Sequence, residues 1–259
     1  CTSSGSRRGN FSQFQENRLQ GVCHSFSEDG RCISLLKVLY SNECIFDCSY
    51  CINRKSNPNQ RATFEVHELV GLTMNFYRRN YIEGLFLSSG VKKSPNYTMH
   101  KLFEIISILR FKEEFNGYIH LKLIPGLDYG YLKEFGFLVD RLSINLEFSK
   151  ERSLKKLAPN KTKNKLITPM KWIDESILEN KELRKKRKNK IQKFVPAGQS
   201  TQFIIGATNE SDKDFVSLSE NLYHKFHLKR VYYSAFVPEQ KNQHQVSHIP
   251  LLREHRLYQ

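Results

Sequence analysis

Cys44, Cys48 and Cys51 stand in the run Cys44-Ile-Phe-Asp-Cys48-Ser-Tyr-Cys51, a C-x3-C-x2-C spacing on a short loop after an apolar stretch. Three thiolates from one tight loop can hold three corners of a cubane [4Fe-4S] cluster, which leaves the fourth iron open to an exogenous ligand. Six cysteines in 259 positions would give this triple about 0.003 times in a shuffled chain, so chance is a poor explanation. A structural zinc site normally wants four ligands in two short pairs, and no downstream C-x2-C supplies the second pair. A disulfide is disfavoured because cysteines so close in a small loop are badly placed to bridge, and no signal peptide precedes them.

The surrounding pattern alternates strand and helix. Ile33 to Tyr40 reads as a buried strand leading into the cysteine loop. Thr63 is a candidate cap for a helix carrying Val66, Leu69, Val70, Thr73 and Tyr77, and Thr98 for one carrying Leu102, Phe103, Ile106 and Leu109. Further strands are expected at Gly84 to Ser89, Gly117 to Ile124, Arg141 to Phe148, Gln199 to Gly206 and Lys229 to Val237, with a short helix from Asp128 to Gly136. Six strand-then-helix units argue for a parallel sheet. On the third strand Tyr118, His120 and Lys122 share one face, and on the fourth Ser143, Asn145 and Glu147 do. The opposite faces are apolar and must meet helices, so these polar sets are expected to face a lumen. The lysine-rich stretch 150-193 is longer than an ordinary crossover and reads as an insertion with short helices of its own.

A net charge of +15 and 41 Lys and Arg against 26 Asp and Glu favour an anionic partner, because phosphates are bound by neutralising them. Charge spread over a solvated surface is the competing explanation; eight of the thirteen residues from Lys181 to Lys193 are Lys or Arg, a run that commonly marks a solvated helix face. No apolar run reaches the eighteen residues of a membrane span, so a soluble protein is expected. The start at Cys1 and the charged end at Gln259 suggest a fragment.

The triad, with the aromatic Tyr50 just before its last cysteine, resembles the radical S-adenosylmethionine (SAM) superfamily. Gly21-Val-Cys-His-Ser-Phe, Asp29-Gly-Arg-Cys-Ile-Ser-Leu-Leu-Lys, the stretch from Asn75 to Gly90 and Arg253-Glu-His-Arg-Leu-Tyr-Gln259 resemble one subgroup of it, associated with DNA modification or repair. The resemblance implies a partial six-stranded (β/α)6 TIM-like barrel over 33-240, preceded by a cysteine-containing extension at 1-32 and followed by a truncated segment at 241-259. It implies a [4Fe-4S] cluster on Cys44, Cys48 and Cys51, SAM on the open iron, and reductive cleavage of SAM to a 5'-deoxyadenosyl radical acting on DNA. It also implies a cytoplasmic setting, an electron donor such as flavodoxin or ferredoxin, and a helix-hairpin-helix module beyond this chain's end. The alternatives are a radical enzyme acting on tRNA or protein, and a non-catalytic metal-containing nucleic-acid-binding protein.

By the same resemblance Tyr50 lies near the adenine. Ser88, Ser89 and Gly90 stand where the superfamily usually has two glycines and a glutamate for the methionyl amino group. Gly206, with Glu210, matches an adenine-supporting motif, and Tyr233, between Tyr232 and Ser234, falls where backbone groups pair with adenine. Ser143, Asn145 and Glu147 offer groups for ribose or carboxylate, though lumen hydrogen bonding would look the same. His120 and Lys122 are the candidates for proton or substrate chemistry, with Glu147 a possible counterion to Lys122. Cys1, Cys23 and Cys32 are a possible auxiliary metal site, with buried reduced thiols as the alternative.

Overall fold

A computed structural model describes residues 22-26, 31-188, 190-237 and 250-259. Among them, seven strands lie side by side in sequence order: β1 (Val22–Phe26), β2 (Cys32–Leu39), β3 (Gly84–Ser88), β4 (Tyr118–Lys122), β5 (Arg141–Ser143), β6 (Gln199–Ile205) and β7 (Arg230–Ala235). β1 runs antiparallel to β2, and every later neighbour pair is parallel. Parallel neighbours need long crossovers, which helices supply. The result is the expected partial barrel. β1 is an addition to it: part of the expected extension pairs with β2 as an edge strand, too short and too polar for its own periodicity to reveal it.

Two helix starts differ from the sequence expectation. α1 (Val66–Arg78) is capped by Glu65, in a reciprocal box with Glu68, rather than by Thr63. The Thr63 hydroxyl is engaged by Ser41 at 2.8 Å and donates to Glu43 at 3.1 Å. α2 (Pro95–Ser107) is capped by Ser94, whose Oγ accepts from the Tyr97 amide at 3.1 Å, with Pro95 in the first turn where its missing N–H costs nothing. Thr98 lies one turn inside, its hydroxyl donating to the Lys92 carbonyl.

After α3 (Tyr129–Phe135) and β5, α4 (Glu151–Leu157) and α5 (Lys163–Lys186) fill the segment expected to be an insertion. That segment is the β5 to β6 crossover itself. Leu154, Leu157, Leu166, Met170 and Ile173 are buried, and Gln199 of β6 donates to the Met170 carbonyl, so both helices belong to the barrel's outer layer. Only the basic end of α5 and the residues just after it resemble the solvated run expected. α6 (Asp212–Phe226) and α7 (Pro250–Tyr258) complete the layer. Among the described residues no helix is long and apolar enough to cross a membrane.

Leu85, Leu87, Ile119, Leu121, Leu142, Phe203 and Ile205 face the helices and are fully buried. The opposite face is polar only in its upper half. Lower down, Ile33, Leu35, Tyr118 and Ala197 form a separate apolar cluster that plugs the lumen. Above the plug, registered positions place Lys37, Phe86, His120 and Arg141 in one row across four strands, with Ser88, Lys122 and Ser143 toward their carboxyl ends.

Candidate active site

The cysteine loop follows β2 and is pinned at several points. The Ile45 amide donates to the Val91 carbonyl at 2.8 Å and the Gly90 amide to the Ser41 carbonyl at 2.7 Å, so the chain leaving β3 clamps the loop's start. A side chain at Gly90 would drive a Cβ to 2.4 Å from the Glu43 carbonyl oxygen, which is why glycine stands there. The Arg61 guanidinium donates to the carbonyls of Asn42, Asn53, Arg54 and Asn57 at 2.6 to 3.1 Å, gathering both ends of the loop round one cation. From the far side the Ser49 amide donates to the Leu157 carbonyl and the Asp47 amide to Asn160 Oδ1.

Cys48 is buried, Cys44 and Cys51 are half-buried, and all three are free thiols. The Phe46 and Val91 amides each donate to Cys44 Sγ at 3.4 Å, an arrangement that suits a thiolate. Burial pushes the Cys48 and Cys51 thiols up, and the Lys161 charge opposes it. Among the described residues no three His, Cys, Asp or Glu side chains close round a single point. Three free thiols on one pinned loop match the three corners that a [4Fe-4S] cluster takes from such a loop.

Beside the loop lies a buried ion pair. Lys161, in the turn between α4 and α5, places Nζ 2.7 Å from Glu147 Oε1 and donates to the Tyr50 hydroxyl at 3.1 Å. Burial works against both charges, but mutual attraction outweighs it: Glu147 is held below and Lys161 above its ordinary range. Burial also pushes the Tyr50 phenol far up, so it stays protonated, and its ring meets Phe148 edge-on. Glu147 has φ +66°, a left-handed conformation that a non-glycine residue keeps only when its surroundings over-determine it. β5 ladder pairing stops at Ser143, and the chain runs irregularly beside β6 to bring this carboxylate to the loop.

Lys161, not Lys122, is thus the ion-pair partner of Glu147. Lys161 is one lysine among many in its segment, and neither it nor Arg61 carries a local signal in the sequence.

His120 Nε2 shares a hydrogen bond with Ser143 Oγ at 2.8 Å, and its ring stacks on Phe86 with centroids 4.2 Å apart. Burial and then the nearby Arg141, Lys122 and Lys37 charges hold its pKa well below the ordinary value, so the imidazole is neutral. Asn145 makes long contacts to Glu147 at 3.5 Å and Gln202 at 3.4 Å. Ser88 Oγ donates to the Val38 carbonyl and Ser89 Oγ to the Gly90 carbonyl.

Tyr233 and Gly206 both have close protein neighbours. Tyr233 faces the helices: its hydroxyl meets Ser219 Oγ at 2.9 Å, and Tyr258 Oη bonds both its amide and its carbonyl. Gly206 has φ +87° and closes against Pro250, which a Cβ would meet at 2.7 Å. The Glu210 carboxylate accepts from the Ser149 and Lys150 amides at the start of α4. Of the expected auxiliary trio, Cys23 is disulfide-bonded and Cys32 is an exposed free thiol, while Cys1 lies outside the described residues.

A sequence profile of the radical SAM superfamily matches residues 38–222. The chain belongs to the radical SAM superfamily. Membership makes it an enzyme of a class that implies a [4Fe-4S] cluster and SAM. No curated protein sequence matches it significantly. Its fold is similar to that of the [FeFe]-hydrogenase maturase HydG from Carboxydothermus hydrogenoformans, at TM-score 0.61 and 15% identity, covering 85% of this chain and 50% of that one. It is also similar to methylornithine synthase (PylB), at TM-score 0.60 and 16% identity, covering 85% and 60%. A radical SAM methyltransferase from Sphaerobacter thermophilus follows at TM-score 0.54 and 13% identity, covering 92% and 73%. The chain spans about half the length of the HydG chain. At these identities the likeness establishes the radical SAM fold and no particular reaction.

Proposed function

We propose that this chain holds a [4Fe-4S] cluster on Cys44, Cys48 and Cys51, binds SAM beside it, and acts on nucleic acid, specifically DNA, in modification or repair. The observation that carries the reading is the pinned cysteine loop at the carboxyl end of β2, with amides aimed at Cys44 Sγ and a buried ion pair alongside. When bound, the cluster and SAM supply a 5'-deoxyadenosyl radical. The chain's own residues position and shield. Ser88, Ser89 and Gly90 form the strand end nearest the loop, and Ser143, Asn145 and Glu147 line the lumen wall across from it. Tyr50 and Phe148 pack edge-on beside the loop.

The DNA assignment is supported by the net charge of +15 and by the subgroup resemblance. The family setting adds a cytoplasmic location and a flavodoxin- or ferredoxin-like electron donor. Anaerobic reconstitution with iron and sulfide, followed by SAM and a strong reductant, tests the core reading. A brown protein that releases 5'-deoxyadenosine supports it, and a colourless protein that releases none sinks it. The substrate is tested by mass spectrometry of nucleosides after incubation with duplex DNA, single-stranded DNA and tRNA. An altered nucleoside confined to tRNA would replace the DNA assignment.

A further inference from the structure

Two cavities lie at opposite ends of the sheet. The larger, about 1010 Å3, opens at the amino ends of the strands among Arg31, Glu83, Asn116 and Asp140, away from the cysteine loop. The other, about 620 Å3, opens at the carboxyl ends and includes Lys37, Asn42, Phe86, Ser88, Lys122 and Gln202. Lys37 comes from β2 and Lys122 from β4, with β3 between them. Among the described residues neither ammonium group has a hydrogen-bonding partner. Lys37 lies over the Phe86 ring at 5.8 Å, near the outer limit of a cation–π contact, which orients the charge without neutralising it. The nearest lumen carboxylate, Glu147, is already taken by Lys161. Burial lowers both lysine pKa values, with Glu147 only partly offsetting it at Lys122. Two cations thus share one cavity wall, Lys37 exposed and Lys122 half-buried, and neither forms a close ion pair among the described residues, so this wall attracts an anion.

We infer that the upper lumen is a substrate site for a phosphate-bearing group, seated between the Lys37 and Lys122 ammonium groups with the Asn42 and Gln202 amides at its rim. A phosphomonoester carries close to two negative charges against the two cations, whereas a carboxylate or an internal phosphodiester carries one, so a terminal phosphate fits the pair best. The inference deepens the proposed function and rests on its reading of the adjoining loop as the cofactor site. The source of the phosphate is either a free nucleotide or one unit of a nucleic-acid strand.

The test is calorimetric titration of the reconstituted chain with thymidine 5'-monophosphate, a short single-stranded oligothymidylate, and thymidine. Binding of either phosphate-bearing probe, with thymidine at least tenfold weaker, supports the site, and the tighter of the two names its source. Lys37→Met and Lys122→Met should each weaken that binding roughly tenfold to a hundredfold, as expected for losing a charge-assisted contact, while Lys37→Arg keeps most of it. Thymidine binding as well as its phosphate does, or a properly folded Lys37→Met, Lys122→Met double variant that binds like the parent, overturns the inference. Release of 5'-deoxyadenosine by the unaltered chain is scored separately. Phosphate-dependent binding without that release would leave the anion site standing and overturn the radical reading; the converse would do the opposite.

Discussion

The Lys161 ammonium lies 2.7 Å from Glu147 Oε1, and the two side chains are only 13% and 5% exposed. A buried pair of this kind is weak evidence for net stability, but removing one partner strands the other charge. Lys161→Met should therefore cost about 3–5 kcal/mol, read by urea denaturation. Adding Glu147→Gln to that variant should recover most of the loss. A double variant no more stable than the single one would show that the pair does not act as a unit.

Gly90→Ala should lower iron retained per chain severalfold after reconstitution, because its Cβ would press on the Glu43 carbonyl just before Cys44. Gly71→Ala is the control. It lies inside α1 with nothing within 4 Å of the added carbon, and should raise stability by up to about 1 kcal/mol. Equal iron content in the two variants would remove Gly90 from the loop's support.

Arg61 satisfies four carbonyls that a lysine cannot reach together, since only the guanidinium presents a planar fork of donors. Arg61→Lys should speed amide hydrogen exchange across residues 42–57 about as much as Arg61→Ala does. Rescue by lysine would mean that charge, and not the fork, holds the loop.

Replacing Cys44, Cys48 or Cys51 by Ala should each abolish the brown colour and 5'-deoxyadenosine release. An iron chelator under oxidising conditions should bleach the parent in the same way. Full cleavage by any one of the three variants would show that its cysteine is not a ligand.

Asp214 accepts from Ser211 in the α6 cap and pairs with Lys150 at 2.7 Å, and these contacts hold its carboxyl down from the usual 3.8 to about 2. A carboxyl whose folded pKa is depressed contributes its stability above the unfolded value and loses it as pH falls through the folded one. The parent should thus lose stability more steeply than Asp214→Asn between pH 3.8 and about 2, in thermal melts at each pH. Parallel acid profiles would remove Asp214 from the acid sensitivity.

Features that depend on neighbours a few residues away are legible in the chain. The spacing of Cys44, Cys48 and Cys51 marks a cluster loop because one turn of backbone sets where three thiols fall. The period-two alternation of Tyr118, His120 and Lys122 fixes which face of β4 meets the lumen, because a strand's side chains must alternate. Helix caps were already less legible, since Thr63 and Thr98 found hydroxyl and carbonyl partners that outcompeted the capping role. Contacts between distant segments follow from packing. Motif position alone does not show that the Tyr233 backbone bonds to Tyr258 or that Gly206 closes against Pro250, contacts made across the fold. Lys161 reaches Tyr50 across 111 residues of chain and Glu147 across 14, and no local pattern distinguishes it from the other lysines of its segment. Cysteine spacing is a property of the chain. Which charge is buried beside those cysteines is a property of the folded sheet, because only packing sets which charges lose their water and which find a partner.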